Sequence, residues 1–242
     1  MNLAIEAALG THVGLVRKRN EDSGYAGRRL LAVADGLGGH AAGDVASSTV
    51  IDALKPHDRE VAPEDLATTL GEAIHEASEA LRARVAGDPT VTGMGTTLVA
   101  MLWSENLAVF ANVGDSRIYQ LRDGQLVPFS EDHVYGRLLS DAATVPGLPP
   151  RIARFLDGRA DGRSPDLTVR ELKAGDRLLL CSDGLSGVVD LEDIREILAS
   201  ANYPSEIVDR LIQATLIQGA PDNITAIVAD VQPIATTGRR EI

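Results

Sequence analysis

The sequence predicts an α+β fold built on antiparallel sheets, and three observations carry that reading. Strand-like runs at 96–103, 107–113, 116–121 and 125–129 follow one another through hairpin-length connections, the pattern of an antiparallel meander. Helical periodicity comes in two consecutive pairs, one on each side of the meander, which excludes a doubly wound sheet whose parallel strands alternate with crossover helices. Strand character also marks the beginning and the end of the patterned chain, at about 3–9 and 224–231. The 242 residues, 44% of them hydrophobic, suffice for a substantial core, so one domain is expected over 1–232, followed by a flexible tail at 233–242.

After the first strand, residues 10–22 crowd basic and acidic groups together. Arg17 in this stretch reads either as a solvated arginine or as a fork that grips a tetrahedral anion. Leu31-Ala32-Val33-Ala34 is a buried strand, and Asp35 stands at its end where a glycine-rich turn, Gly36 to Gly39, begins. Gly36 leaves the neighbouring carbonyl open to a ligand or metal. The helix that follows has an apolar series at Ala42, Val45, Ala46, Thr49, Val50, Ala53 and Leu54, closed by Pro56. A second helix starts near Pro63, with Leu66, Leu70, Ile74, Ala77, Leu81 and Val85 on one stripe and His75 one step off it, on the surface.

Gly36 to Ala41 also matches G-x-G-x-x-A, a dinucleotide-binding pattern. That reading demands a second parallel strand ending in an acidic residue about 20 residues on. Residues 55–60 form a charged loop there instead.

Beyond the meander, residues 130–164 are poor in β-branched residues and rich in Pro, Gly and Arg, and are expected to form a flap beside the site. Strands return at 167–171 and at Arg177 to Cys181, the latter running into Ser182-Asp183-Gly184. Two helices follow, Leu191 to Ser200 with Asp190 as N-cap, and one after Pro204 carrying Ile207, Val208, Leu211, Ile212, Thr215 and Leu216. Gly219 ends the second, and Pro221-Asp222-Asn223 leads into the last strand.

The formal charge of −12 argues against a nucleic-acid backbone or an anionic membrane as partner, because both select basic surfaces. No apolar run approaches about 18 residues and the N-terminus lacks signal-peptide patterning, so a cytoplasmic protein is expected. The lone Cys181 allows no internal disulfide and suits a reducing compartment.

Three times an apolar strand or turn presents an aspartate beside Gly or Asn, at Asp35-Gly36, Asp183-Gly184 and Asp222-Asn223; Asp115, in Gly114-Asp115-Ser116, is a fourth case. Each alone is an ordinary turn former. If they converge, each pair at about 4 Å repels by about 4 kcal/mol at an effective dielectric of 20, so convergence requires a cation. Oxygen-only ligands suit Mg²⁺ or Mn²⁺, whereas zinc calls for the His and Cys that are scarce here. Two such ions about 3.5–4 Å apart activate a shared water and screen a phosphoryl group.

Six motifs in order resemble the PPM/PP2C metal-dependent protein serine/threonine phosphatases in their bacterial form: residues 14–23, Val33 to His40, Gly93-Met94-Gly95-Thr96-Thr97, Val113 to Arg117, Cys181 to Leu185 and Pro221 to Thr225. The resemblance implies a four-layer α-β-β-α sandwich, two antiparallel sheets face to face with helices outside. It implies that Asp35 bridges two Mn²⁺ or Mg²⁺ ions, that the Gly36 carbonyl binds one, and that Asp183 and Asp222 bind the other. Asp115 with Asp183 matches a weaker third site, Arg17 the phosphate clamp, and Glu21 and Asp22 residues that act through metal-held water. The nucleophile implied is a bridging water or hydroxide. The implied partners are phosphorylated proteins, including a bacterial Ser/Thr kinase that the enzyme opposes, and a monomer is expected.

Leu37 departs from the family, in which bacterial relatives often carry Met and some eukaryotic ones a leaving-group His. His40 is the candidate that assists in its place. His133, in the flap's Glu131-Asp132-His133, is read as structural. C-x5-R from Cys181 lands on Gly187, which disfavours a cysteine phosphatase, and Ser186 is not in G-x-S-x-G, which disfavours a serine hydrolase. The competing class is a binding module that keeps this fold without turnover.

Overall fold

The computed structural model describes residues 3–37, 42–134, 152–159, 164–200 and 203–234. Eleven strands are found among them: β1 Leu3–His12, β2 Asp22–Ala26, β3 Leu30–Leu37, β4 Gly95–Thr96, β5 Leu98–Ser104, β6 Leu107–Val113, β7 Arg117–Arg122, β8 Gln125–Pro128, β9 Asp166–Glu171, β10 Arg177–Cys181 and β11 Ile224–Pro233. The helices are α1 Gly43–Leu54, α2 Leu66–Gly87, the single turn α3 Asp183–Ser186, α4 Leu191–Ser200 and α5 Pro204–Ile217.

All pairings are antiparallel, in two sheets. The first has the order β1-β11-β10-β7-β8; the second has the order β2-β3-β5-β6-β9, with β4 added against β3. Alternation along β3 explains the layering. Leu31 and Val33 face the layer between the sheets, with Val99, Met101, Phe110, Leu178, Leu180, Ile227 and Ala229. Leu30, Ala32 and Ala34 face the opposite way, into the core under α1 and α2 with Val50, Leu54, Leu70, Ile74 and Leu81. A strand buried on both faces reads as a continuous apolar run. On the far side, α3, α4 and α5 cover the first sheet through Leu185, Ile194, Leu198, Ile207, Val208 and Leu211. The result is the four-layer α-β-β-α sandwich.

Most element boundaries fall where the sequence places them, and the departures have local causes. β1 runs on to His12, three residues past its apolar stretch, because β11 pairs with it from Leu3↔Pro233 to His12↔Ile224. β2 is hidden in a polar stretch, held by pairing with β3 instead of by its own apolar content. α1 buries Ser47 and Ile51 along with Ala46, Val50 and Leu54, while Val45, Thr49 and Ala53 are half-buried, so its core stripe is rotated from the expected one. His75 is exposed, as its position off the α2 stripe implies. No helix among the described residues is long and apolar enough to cross a bilayer.

Candidate active site

The strand order brings the aspartates to one end of the sandwich. Asp22 opens β2 directly opposite Asp35 on β3. Asp115 follows β6, Asp183 follows β10, and Asp222 precedes β11.

Backbone bonds fix Asp35 before its side chain does anything. Its N–H donates to Thr97 Oγ1 at 3.0 Å, and its carbonyl accepts from Thr97 N at 2.9 Å and Thr96 Oγ1 at 2.9 Å. Thr97 Oγ1 and Ser116 Oγ are 2.8 Å apart, which ties the Asp35 mount to the Asp115 turn. Gly36 donates its N–H to Glu21 O at 3.1 Å. A Cβ on Gly36 would lie 2.2 Å from Gly43 O and 2.6 Å from Glu21 O, so only glycine fits in β3 where it passes between the start of α1 and the Glu21 backbone.

On the first sheet, Ser182 Oγ donates to Asp22 Oδ2 at 2.8 Å and accepts from Thr225 N at 3.0 Å. A Cβ on Gly184 would sit 1.8 Å from Asn223 O, so the Asp183 turn packs directly on the Asp222-Asn223 backbone. Arg17 Nη2 donates to Asp222 Oδ2 at 2.7 Å from an exposed loop, with more than half of its side chain open to solvent.

The carboxylates feel one another. Burial, then the charges of Asp22 and Asp183, hold Asp35 well above the usual carboxylate range, with a hydrogen bond to Asp183 and the charge of Asp222 adding to the effect. Asp183 is raised, first by burial and also by Asp222, and its hydrogen bond with Asp35 offsets part of this. Burial pushes Asp22 up to about 6 against the bonds from Ser182 and Thr225, and Asp183 and Asp222 push the same way. Burial and then Asp183 push Asp115 up to about 7. Glu21 is raised by burial and by Asp44.

Among the described residues, no three acidic, histidine or cysteine side chains are closed into a ready ligand shell. Asp35 instead bonds Asp183, Asp222 bonds Arg17, and Asp22 bonds Ser182. The donor set nonetheless suits a hard divalent cation. It is all oxygen, its members repel one another, and Asp22 Oδ1 and Asp115 Oδ1 are buried with no hydrogen-bond partner.

His40 and its neighbours Gly38, Gly39 and Ala41 lie outside the described residues, as do 135–151 and 160–163 of the expected flap. The flap's described ends dock beside the site. Thr96 and Leu156 exchange two backbone bonds at 2.9 and 2.8 Å, and His133 N donates to Gly114 O at 2.8 Å. His133 Nδ1 accepts from Gly114 N at 3.1 Å and Nε2 donates to Asp166 at 2.9 Å, a bridging geometry. Cys181 is fully buried and its thiol is pushed up to about 12, chiefly by burial, which leaves it inert as a nucleophile.

The positions of Ser182, Thr97 and Asn223 around the carboxylates were not singled out from sequence. Each sits one residue from a site aspartate or within a family-like motif, and that adjacency is the signal that points to them.

The family model for protein phosphatase 2C matches residues 18–214. The chain belongs to the protein phosphatase 2C family. Among relatives of this 2C family, it is 44% identical over 238 residues to the serine/threonine protein phosphatase PstP of Mycobacterium tuberculosis, covering 96% of this chain and 46% of that protein. The chain therefore spans about half the length of the mycobacterial relative. To the serine/threonine phosphatase stp of Listeria monocytogenes it is 33% identical over 244 residues, covering 93% of this chain and 96% of that one. Its structure superposes on the PstP catalytic domain, solved in complex with two manganese ions, with a TM-score of 0.88 at 44% identity over 96% of this chain and all of the other. The phosphatase Stp1 of Staphylococcus aureus gives a TM-score of 0.86 at 32% identity, over 96% and 98% of the two chains. These solved members of the 2C family thus share the fold of this chain.

Proposed function

We propose that the chain is a metal-dependent protein serine/threonine phosphatase, a single phosphatase domain over 1–232 acting in the cytoplasm as a monomer on phosphorylated proteins, among them a Ser/Thr kinase it opposes. The observation that carries this reading is the mutual field of Asp22, Asp35, Asp183 and Asp222, brought together from four chain segments, with the buried oxygens Asp22 Oδ1 and, on the neighbouring turn, Asp115 Oδ1 left unpartnered. Such a set is costly unless a cation neutralises it.

Asp35 and the Gly36 carbonyl, with Asp183 and Asp222, are the groups that would hold two Mn²⁺ or Mg²⁺ ions; Asp115 with Asp183 would hold a third. When bound, the pair of ions supplies Lewis acidity toward the phosphoryl group and lowers the pKa of a water between them. The protein's own groups do the rest. With ions bound, Glu21 and Asp22 would accept hydrogen bonds from nearby water and so orient it. Arg17, exposed and one bond away from Asp222, turns its fork to the incoming phosphate and neutralises charge as the P–O bond breaks. His40 protonates the leaving serine or threonine oxygen. No cysteine or serine nucleophile is involved, so no phosphoenzyme forms.

The test is turnover of a phosphothreonine peptide and of a small aryl phosphate by the purified chain, with Mn²⁺ and with chelator. Activity that requires Mn²⁺ or Mg²⁺ and falls by at least about 100-fold in Asp35→Asn and Asp183→Asn is expected. Unchanged turnover in either variant, or full activity in chelator, overturns the reading.

A further inference from the structure

Asn223 has no assigned part in the chemistry, yet it is buried, 5% exposed, and its carboxamide spends its bonds on one target. Nδ2 donates to Val13 O at 2.9 Å and to Arg19 O at 2.9 Å, and Oδ1 accepts from Glu21 N at 2.8 Å. All three partners lie on the loop that carries Arg17, and they bracket it on both sides. The same loop closes on the same turn elsewhere. Leu15 N donates to Ala220 O at 2.9 Å, and Gly14, at φ +81°, passes so close that a Cβ would lie 2.2 Å from Asp222 O. On its other side, the Asn223 carbonyl seats Gly184 next to Asp183. Asn223's own N–H donates to Asp222 Oδ1 at 2.8 Å. One residue therefore touches the mounts of Arg17, Glu21, Asp183 and Asp222.

Resting on the phosphatase reading above, we propose that Asn223 is a positioning residue for substrate phosphate, its carboxamide holding the 13–21 loop so that the exposed Arg17 fork is presented to the metal-ligand carboxylates at the correct reach. Gly14 N also donates to His12 Nδ1 at 2.9 Å and Asn20 Nδ2 to Thr11 Oγ1 at 2.7 Å, which ties the ends of the loop back to β1. Leu15 and Val16 are exposed, 63% and 68%, so they supply no packing that would fix the loop from its outer face. A long arginine on an unheld loop loses the orientation that makes phosphate capture efficient.

Asn223→Ala removes all three bonds, and Asn223→Ser retains at most one. Each should lower kcat/KM for a phosphothreonine peptide by about 10- to 100-fold, mostly through KM, and weaken inhibition by inorganic phosphate in proportion. In an Arg17→Ala background the same substitutions should add less than about threefold, because both act through one side chain. Amide exchange at Glu21 and across 13–21 should quicken while β1 and β11 stay protected. A fall in kcat with KM and phosphate inhibition unchanged, full additivity with Arg17→Ala, an unaltered exchange pattern, or failure of both variants to fold would each overturn the proposal. If the parent chain shows no phosphatase activity, the function fails while loop exchange and phosphate binding still decide the role of Asn223.

Discussion

Ser182 Oγ donates to Asp22 Oδ2 at 2.8 Å, joining two residues 160 positions apart and, with them, the two sheets. The serine is fully buried and accepts from Thr225 N on the same oxygen. Ser182→Ala would take from the buried Asp22 carboxylate, whose Oδ1 already lacks a partner, the Ser182 bond, and would leave the buried Thr225 amide without the oxygen it donates to. The expected cost is about 1–3 kcal/mol of stability, read by urea unfolding. Because the Ser182 bond lowers Asp22 toward its ordinary range, the variant should also hold Asp22 protonated to higher pH. An unchanged unfolding midpoint contradicts this.

Asp115 titrates near 7 in the folded chain, raised by burial and by Asp183. A carboxyl raised on folding contributes stability that is complete below its ordinary pKa and is lost as pH climbs through the folded value. In chelator, the stability difference between the parent and Asp115→Asn should therefore shift against the parent from about pH 4 to pH 8. Manganese should reduce that shift by neutralising the carboxylates. Thermal melts of both proteins across this range, with and without Mn²⁺, check the sign.

The strand ends and their aspartates were legible because each lies where a hydrophobic run breaks at glycine or a polar turn, a signal confined to a few consecutive residues. Asp183 after 177–181 is the clearest case; Asp35, expected at a strand end after 31–34, instead lies inside β3, which runs on to Leu37 because Gly36 and Leu37 pair with Thr96 and Gly95. β2 and α3 were not legible, since Asp22–Ala26 has little apolar alternation and Asp183–Ser186 is a single turn held by packing of Leu185 and by Gly184 against Asn223. The clamps on the site were invisible for the same reason. Ser182 to Asp22 and Asn223 to Glu21 are bonds across 160 and 202 positions, set by sheet order, and no local pattern encodes them.

Asp58 offers a control remote from the aspartates. Its carboxylate accepts from the N–H groups of Arg28, Arg29 and Leu30 at 3.0, 2.6 and 3.0 Å and from Tyr25 Oη at 2.9 Å. Burial alone would raise it, but those backbone and side-chain donors hold it below the usual carboxylate range. A depressed carboxyl contributes stability that is present above its ordinary pKa and disappears as pH falls through the folded value. Asp58→Ala should cost about 1–3 kcal/mol at pH 7, a deficit that shrinks in acid, while kcat/KM at 25 °C stays within about twofold. A loss of activity without a loss of stability would contradict it.

His133 joins three separate pieces of chain. Its backbone N–H reaches Gly114 O, Nδ1 takes Gly114 N–H, its own carbonyl takes Ala153 N at 2.7 Å, and Nε2–H meets Asp166, which Arg154 also binds at 2.6 Å. His133 is 2% exposed, and its bonds run to Gly114, Ala153 and Asp166, so it holds the 131–134 and 152–154 segments beside the Asp115 turn. Gly114, at φ +116° and with Thr97 only 2.6 Å from where its Cβ would stand, cannot be re-anchored by another side chain at the same position. His133→Ala should therefore cost about 1–3 kcal/mol in unfolding. It should raise KM for a folded phosphoprotein by several-fold or more, whereas kcat for a small aryl phosphate, which needs no contact with these segments, should change by less than about threefold. Equal losses of kcat on both substrates would place the imidazole among the reacting groups instead.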